Sequence, residues 1–254
     1  MFSFGIGGGN IKAIRSIEDV RQIKGDFYIL GGGNNILCGK PTKPIYKIEI
    51  KKLEIIGGGV VIGAGNNIFE SAKELVKKGY STLLSISGIP GTIGGGIVMN
   101  CGGSQGNISD YLVEVVCFDV TNGRIVTLKK EECKFGFRNS IFKYNKNFII
   151  LSALFTAVKE SKLNKKLEMI QEYRKSNYPM LFGSAGCIFK GDWGGKDLIK
   201  KAGLSGLWHG DAVISPFLPS FILNTGNATF NDIMYLINQI KEKTGLELEI
   251  EIWN

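Results

Sequence analysis

Residues 89–103 read Ile-Pro-Gly-Thr-Ile-Gly-Gly-Gly-Ile-Val-Met-Asn-Cys-Gly-Gly, and this stretch decides the fold of the 254-residue chain. Glycine has no Cβ, so it tolerates positive φ and lets main-chain N–H groups approach a ligand closely. Apolar residues interleaved with so many glycines therefore predict a backbone pressed against something flat or anionic.

A second glycine run, Leu30-Gly31-Gly32-Gly33-Asn34-Asn35-Ile36-Leu37, follows a predicted strand at residues 27–30. Two such loops on one chain indicate a dinucleotide cofactor. The loop is not a GxGxxG sequence leading into a helix, so it is a weak match to a nicotinamide-type Rossmann site. Taken alone, either run is explained equally well by a tight turn or a bulge.

The composition is that of a soluble globular protein, with 44% hydrophobic and 21% charged residues. The opening residues lack the pattern of a signal peptide and no stretch reaches 18 uninterrupted apolar residues, so we expect a cytoplasmic protein that does not bind membranes. The net charge of +8 favours an anionic partner. The lysines are scattered in pairs and form no nucleic-acid motif, so we expect no nucleic-acid partner. The pairs indicate first a solvated basic surface, which could in addition steer a phosphorylated small molecule.

The five cysteines form no CxxC pair and are expected to be free thiols. His209 is the single histidine. A histidine-containing metal cluster or a Ser-His-Asp triad would have to be built around that one residue, so we expect no metal site.

The local patterns predict an α+β chain. Ser16, Asn67 and Thr229 are predicted to cap helices, and Thr121-Asn122-Gly123 is predicted to turn a hairpin. A lysine-rich, helix-forming stretch from Glu160 predicts a domain boundary after residue 158. Strict alternation in residues 246–252 predicts a final strand with Glu247, Glu249 and Glu251 on one face.

Three further motifs occur in a characteristic order with the two glycine runs. They are Phe137-Arg138-Asn139-Ser140, Ser184-Ala185-Gly186-Cys187-Ile188-Phe189-Lys190 and Leu248-Glu249-Ile250-Glu251. With these motifs the chain resembles, from about Gly7 to its C-terminus, the UDP-N-acetylenolpyruvoylglucosamine reductases of bacterial peptidoglycan synthesis.

The resemblance implies the FAD-binding fold of the vanillyl-alcohol oxidase type, with two α+β lobes and a C-terminal α+β substrate domain. On this basis residues 1–158 form the FAD-binding domain, with lobes at about 1–50 and 51–158. Residues 159–254 form the substrate-binding domain, whose C-terminal strand reaches the flavin site.

The resemblance also implies which residues bind FAD. The first glycine loop would hold the pyrophosphate and residues 90–100 would lie along the cofactor, with consecutive main-chain N–H groups forming an anion-binding nest. The expected cofactor residues are Gly31, Gly32, Gly33, Asn34, Asn35, Pro90, Gly91, Thr92, Gly94, Gly95, Asn100 and Gly102. Because His209 lies in the other lobe, FAD is expected to be bound non-covalently.

The implied reaction is a hydride relay in a monomeric enzyme of cell-wall biogenesis, and hence of cell shape and division. NADPH reduces the flavin and leaves, and the enolpyruvyl ether of UDP-N-acetylglucosamine then takes hydride at its vinyl carbon. By resemblance, Arg138 and Glu251 polarise the substrate carboxylate and Cys187 protonates the neighbouring carbon. Arginine suits this task because its charged fork matches a carboxylate. Glu251 must be protonated or share a proton to lie beside one.

Cys187 stands where many family members carry serine, and a thiol is the better acid. The chain departs from the family pattern at Gly191, where Asn-Pro is usual after Phe-Lys, and at Phe217-Leu218, where Lys-His is usual. These departures leave the contacts to the substrate diphosphate open. Two alternatives also stay open: another FAD-dependent oxidoreductase of the same fold acting on a small alcohol or hydroxy acid, and a non-catalytic nucleotide-binding protein.

Overall fold

The computed structural model describes residues 2–254, apart from the side chains of residues 192 and 193. Its helices are α1 (Ile17–Arg21), α2 (Ile68–Lys77), α3 (Ile93–Met99), α4 (Ile141–Tyr144), α5 (Leu163–Asn177), α6 (Lys196–Lys201) and α7 (Phe230–Thr244). Its strands are β1 (Ile11–Ile14), β2 (Tyr28–Leu30), β3 (Ile36–Cys38), β4 (Ile45–Ile48), β5 (Leu53–Ile56), β6 (Gly59–Gly63), β7 (Gly102–Gly103), β8 (Gly106–Asn107), β9 (Leu112–Asp119), β10 (Arg124–Lys129), β11 (Phe148–Thr156), β12 (Trp208–His209), β13 (Ala212–Ile214), β14 (Ile222–Asn224) and β15 (Glu251–Trp253). The predicted α+β class is confirmed.

The chain forms two compact units. The larger unit contains Ile11–Gly32 and Lys43–Arg174, and the smaller unit contains the residues up to Asn10, Gly33–Thr42 and Lys175–Asn254. The first glycine loop is therefore the place where the chain passes from the larger unit into the smaller one.

The larger unit is built on two sheets. β1, β4 and β2 form a parallel sheet, and β10, β9, β11, β6 and β5 follow one another in an antiparallel sheet. The predicted hairpin at residues 121–123 joins β9 to β10 and is confirmed. Residues 53–63 form the hairpin of β5 and β6, because Gly57 and Gly58 adopt positive φ and turn the chain back.

Helix α5 belongs to the larger unit as far as Arg174. Its Leu163, Leu167 and Ile170 pack against Val76 and Leu84 in one apolar cluster. The compact units therefore separate between residues 174 and 175, whereas the sequence-based boundary follows residue 158. The lysines of this helix lie on its exposed side, whereas its apolar face packs against the larger unit and therefore makes the helix part of that unit.

The smaller unit packs helix α7 against the antiparallel sheet β12-β13-β14. Ile233, Leu236, Ile237 and Ile240 lie at helical spacing on α7 and are fully buried, so this face of the helix packs into the core. Strand β3 pairs in parallel with β15, with Ile36 opposite Glu251. The final strand predicted over residues 246–252 is wrong for residues 246–250, where the structure has only an isolated β-bridge between Phe189 and Leu248. Among the described residues, no helix has both the length and the apolar character needed to cross a membrane.

Candidate active site

The two glycine runs meet inside the larger unit. An ideal Cβ on Gly31 would lie 2.7 Å from Thr92 Oγ1 and 3.6 Å from the Gly95 nitrogen. Any side chain at position 31 would force these loops apart, so glycine is required for their approach. Gly31 and Gly95 are both partly exposed, which leaves a bare backbone surface open to solvent.

The glycines at 94–96 lie in helix α3, which the sequence analysis did not predict. A Cβ on Gly94 would lie 3.0 Å from Ala64 Cβ, and one on Gly96 would lie 2.9 Å from Cys101 Sγ. Two of the three glycines therefore serve close packing within the larger unit, and Gly95 is the one on the open side of the helix.

The first amide groups of α3 are already used by the protein. Ile93 N donates to Asn66 O and Gly94 N to Ala64 O, both at 2.9 Å, and Gly95 N donates to the Thr92 side chain. The expectation that these consecutive amides form an anion-binding nest is wrong for residues 93–95, because they close the helix against the loop before α2. The loop at 31–35 remains the candidate for a pyrophosphate.

Residues 33–35 are fixed within the smaller unit. The Gly33 carbonyl accepts from Ser3 N at 3.1 Å, and Asn34 Nδ2 donates to Ser3 Oγ at 2.8 Å. Asn35 Nδ2 donates to the Glu249 carbonyl at 3.2 Å. Both asparagine side chains thus make bonds that hold the loop in shape.

The segment around α3 begins and ends in unusual backbone. Gly91 has a φ of +146° beside the exposed Pro90, and Asn100 ends the helix in the left-handed region with a φ of +43°. Asn100 Nδ2 donates to the Gly136 carbonyl at 2.9 Å, while its Oδ1 is buried without a partner among the described residues. An orphaned buried acceptor of this kind fits a site that receives a ligand with a donor group.

Arg138 is held at both ends. Its Nη2 donates to the Gly102 carbonyl at 2.8 Å, and its own carbonyl accepts from Lys143 Nζ at 3.3 Å. The guanidinium also lies 5.3 Å from the ring centre of the exposed Phe137. The structure thus brings the Arg138 motif to the end of the second glycine run.

Cys187 is partly exposed, whereas the other four cysteines are buried free thiols. Burial raises the pKa of Cys101 to about 12, against the opposing effect of the Arg138 charge, and that of Cys133 to about 11. Burial likewise raises the pKa values of Cys38 and Cys117. These four thiols are poor nucleophiles and poor metal ligands where they stand.

The Cys187 motif and the C-terminal motif are neighbours in the smaller unit. The Ile188 carbonyl accepts from Glu249 N at 2.9 Å, and Phe189 and Leu248 form an isolated antiparallel β-bridge. Two residues after Glu249, Glu251 N donates to the Asn35 carbonyl at 2.9 Å. Two motifs far apart in sequence, and the end of the first glycine loop, are therefore joined by backbone hydrogen bonds.

The three alternating carboxylates differ in their partners. Glu247 Oε2 lies 2.9 Å from Lys190 Nζ, and this ion pair lowers the pKa of Glu247. Glu251 Oε2 accepts from Trp253 Nε1 at 3.3 Å and is partly buried. Glu247 is thus committed to a surface ion pair, while Glu251 lies on the paired strand next to the glycine loop.

His209 makes a structural contact at the start of α7. Its Nδ1 lies 2.9 Å from Asp232 Oδ1 and its ring stacks on Tyr235 with centroids 4.0 Å apart. The residues that the structure describes include no group of three or more His, Cys, Asp or Glu side chains able to hold a metal ion.

Sequence reasoning missed Ser220 and Gly194, which both touch Cys187. Cys187 Sγ lies 3.7 Å from Ser220 Oγ, and a Cβ on Gly194 would lie 2.9 Å from Cys187 Cβ. The signal for Ser220 was its place directly before Phe221, where the resembling family has asparagine. Gly194 lies in a turn whose role no local pattern reveals.

Two family models match the chain. The model described as an FAD binding domain matches residues 12–129. The model described as the C-terminal domain of UDP-N-acetylenolpyruvoylglucosamine reductase matches residues 178–253. The first match lies mostly in the larger unit and the second within the smaller unit.

Full-length similarity extends to curated enzymes and a solved structure. The UDP-N-acetylenolpyruvoylglucosamine reductase of Caldanaerobacter subterraneus subsp. tengcongensis is 35% identical, over 96% of this chain and 84% of its own length. The enzyme of that name from Fusobacterium nucleatum is 34% identical, over 96% of this chain and 92% of its own length. The crystal structure of the reductase from Thermus caldophilus matches with a TM-score of 0.89 at 28% identity, covering 100% of this chain and 96% of that one.

These matches confirm the predicted FAD-binding fold with its C-terminal α+β domain, and they confirm that the protein is an FAD-dependent oxidoreductase. With relatives above 30% identity across nearly its whole length, the chain belongs to the UDP-N-acetylenolpyruvoylglucosamine reductase family.

Proposed function

We propose that this protein uses NADPH and non-covalently bound FAD to reduce the enolpyruvyl ether of UDP-N-acetylglucosamine to UDP-N-acetylmuramate. The product serves peptidoglycan synthesis. The observation that carries this proposal is family membership across 96% of the chain, in a protein that has Arg138, Cys187 in place of serine, and Glu251.

The residues present fit FAD. The side-chain-free backbone at Gly31 and Gly95 is partly exposed and suits a flat, anionic dinucleotide, and the loop at 31–35 would hold its pyrophosphate. Pro90, Gly91, Thr92, Gly94, Asn100 and Gly102 complete the proposed set. When bound, FAD supplies the hydride chemistry by accepting hydride from NADPH and passing it to the substrate.

Arg138 would bind and polarise the substrate carboxylate. Reduction at the vinyl carbon builds negative charge at the neighbouring carbon, and this charge spreads into the carboxylate. A fixed cation there stabilises the transition state more than the ground state. The hydrogen bond to Gly102 orients the guanidinium without neutralising it, so the charge is placed before the substrate arrives.

Cys187 would deliver the proton that completes the reduction, with the S–H bond breaking as the C–H bond forms. Glu251 would share a proton with the substrate carboxylate, because two ionised carboxylates side by side repel. Its backbone bond to Asn35 and its bond from Trp253 Nε1 fix its place on β15.

The deciding experiment follows NADPH absorbance under anaerobic conditions with and without UDP-N-acetylglucosamine enolpyruvate. We expect a yellow protein whose NADPH consumption depends on this acceptor. A protein that consumes oxygen with a small alcohol or hydroxy acid, and ignores the acceptor, would overturn the proposal in favour of another flavin oxidoreductase. A folded, colourless protein that takes up no flavin would overturn it in favour of a non-catalytic protein.

A further inference from the structure

A buried serine side chain contacts the Cys187 thiol. Cys187 Sγ donates to Ser220 Oγ at 3.7 Å, a distance compatible with a bond from sulfur, and Ser220 is only 1% exposed. The two residues are also tied through the main chain, because the Ser220 carbonyl accepts from Ile188 N at 3.0 Å. The hydroxyl is thus fixed in position relative to the thiol.

Gly194 and an apolar cluster lie against this pair. Gly194 has a φ of +65°, and a Cβ there would lie 2.8 Å from Ser220 Cβ and 3.2 Å from Cys187 Sγ. Cys187 also packs against the apolar cluster of Val213, Leu218, Phe221 and Leu223, in which Tyr178 is a titratable member. Leu218 stands in this cluster where the family pattern has histidine, so the surroundings of the thiol are apolar on that side.

A thiolate formed in apolar surroundings needs a hydrogen-bond donor. Without one, burial disfavours the charged form and proton donation becomes harder. A serine hydroxyl can accept from S–H and, after rotation of its own hydrogen, donate to S⁻. A hydrogen bond to a charged acceptor is about twice as strong as a neutral one, so the donor favours the ionised product.

We propose that Ser220 is the positioning residue of the proton donor: it orients the Cys187 thiol and stabilises the thiolate left after proton transfer. The inference rests on the proposed role of Cys187. In the step, the S–H bond breaks, its electron pair stays on sulfur, the proton forms the new C–H bond, and the Ser220 hydroxyl turns to donate to sulfur. Water returns the proton to sulfur once the product has left.

The test measures thiol ionisation directly and does not depend on turnover. Alkylation of Cys187 by iodoacetamide is followed by peptide mass spectrometry from pH 6 to 10 in the holoenzyme, which separates its label from those of the buried cysteines. Ser220→Ala should move the midpoint of the pH profile upward by about one unit, an approximately tenfold loss of thiolate at a given pH. The acceptor half-reaction should slow, while flavin reduction by NADPH is unchanged.

Ser205→Ala is the matched control, since the Ser205 hydroxyl is buried with no partner in the described part of the chain. It should leave the midpoint where it is. If Ser220→Ala does not fold by circular dichroism, Ser220→Cys fills a similar volume with a weaker donor and should shift the midpoint in the same direction.

An unchanged or lowered midpoint in a folded Ser220 variant overturns the inference, even if Cys187 is required for turnover. A raised midpoint in an enzyme whose Cys187→Ala variant keeps full activity supports the Ser220 contact but overturns the proposed role of Cys187. The two claims are therefore separable.

Discussion

Arg138 and Gly102 are joined by a hydrogen bond of 2.8 Å from Nη2 to the carbonyl oxygen. Arg138 has a φ of +51°, a conformation that costs a non-glycine residue roughly 1–2 kcal/mol. The bond links this left-handed turn to the residues that follow helix α3. Backbone strain at a charged residue beside a glycine-rich loop is a feature of functional sites.

Replacing Arg138 by lysine tests whether the paired N–H donors of the guanidinium are needed. Arg138→Lys keeps the charge and loses the planar pair of donors, so the acceptor half-reaction should slow by about 100-fold or more. Reduction of the flavin by NADPH should stay near the wild-type rate in stopped-flow absorbance. Arg124→Lys, on the exposed strand β10, is the control and should match wild type. Equal loss of both half-reactions would assign Arg138 to structure.

Removing the Cys187 thiol should separate the two half-reactions. Cys187→Ala should slow reoxidation of the flavin by the acceptor by about 10²–10⁴-fold, the usual contribution of a positioned general acid. Flavin reduction by NADPH should be unaffected. Cys187→Ser should recover part of the rate, because a hydroxyl can still donate a proton. The assignment is refuted if both half-reactions fall together.

The C-terminal carboxylates should differ in their effects on turnover. Glu251→Gln should lower kcat by about 10-fold or more, because the amide can donate to the substrate carboxylate but cannot exchange a proton with it. Glu247→Gln breaks only the exposed pair with Lys190, so steady-state rates should change less than about twofold. A larger effect from Glu247 would reverse the choice between them.

Flavin binding should depend on the missing side chain at position 31. Gly31→Ala places a Cβ 2.7 Å from Thr92 Oγ1, which should separate the two loops and lower the flavin content of purified protein by about 10-fold or more. Gly103→Ala is the matched control, because nothing lies within 4 Å of its added Cβ. The ratio of flavin absorbance to protein absorbance measures the flavin content of both variants. Full flavin occupancy in Gly31→Ala would count against the proposed cradle.

Acid should lower the stability of the smaller unit because Asp232 becomes protonated. The Thr229 amide and hydroxyl, with a contribution from His209, lower the pKa of Asp232 below its ordinary value. A depressed pKa in the folded state contributes stability that is complete above the unfolded value of about 4 and is lost as the pH falls through the folded pKa. In urea unfolding, Asp232→Asn should therefore lower the free energy of unfolding most near neutral pH, and the difference from wild type should shrink below pH 4. If the difference in unfolding free energy did not change with pH, the charge of Asp232 would not contribute to stability.

The helix caps were predictable because each depends on a few adjacent residues. Ser16, Asn67 and Thr229 accept from the third residue of their helices as expected. Helix α3 was not predictable in this way, since each interior glycine disfavours a helix by about 1 kcal/mol relative to alanine. What stabilises it is close approach to Ala64 and Cys101, and such tertiary contacts leave no periodic signal in the sequence.

Parts of the candidate site were likewise hidden. Alternation predicted one strand over residues 246–252, but the structure forms a strand only at Glu251–Trp253. The carboxylates of this segment are distinguished by tertiary partners, since Lys190 pairs with Glu247 and the Asn35 carbonyl accepts from the Glu251 amide. The contact between Cys187 and Ser220 spans 33 residues, and it arises from the packing of the smaller unit. The resemblance pointed to Cys187, and the fold shows that its thiol contacts Ser220.

The pairing of β3 with β15 has a consequence for biosynthesis. Ile36–Cys38 leaves the ribosome early, yet its partner Glu251–Trp253 is translated after all the other elements named here. Until then this apolar segment has unpaired main-chain groups, the condition under which nascent chains associate wrongly or recruit chaperones. A chain truncated before residue 251 would lack the strand as well as the Glu251 carboxylate, so such products should be both aggregation-prone and inactive.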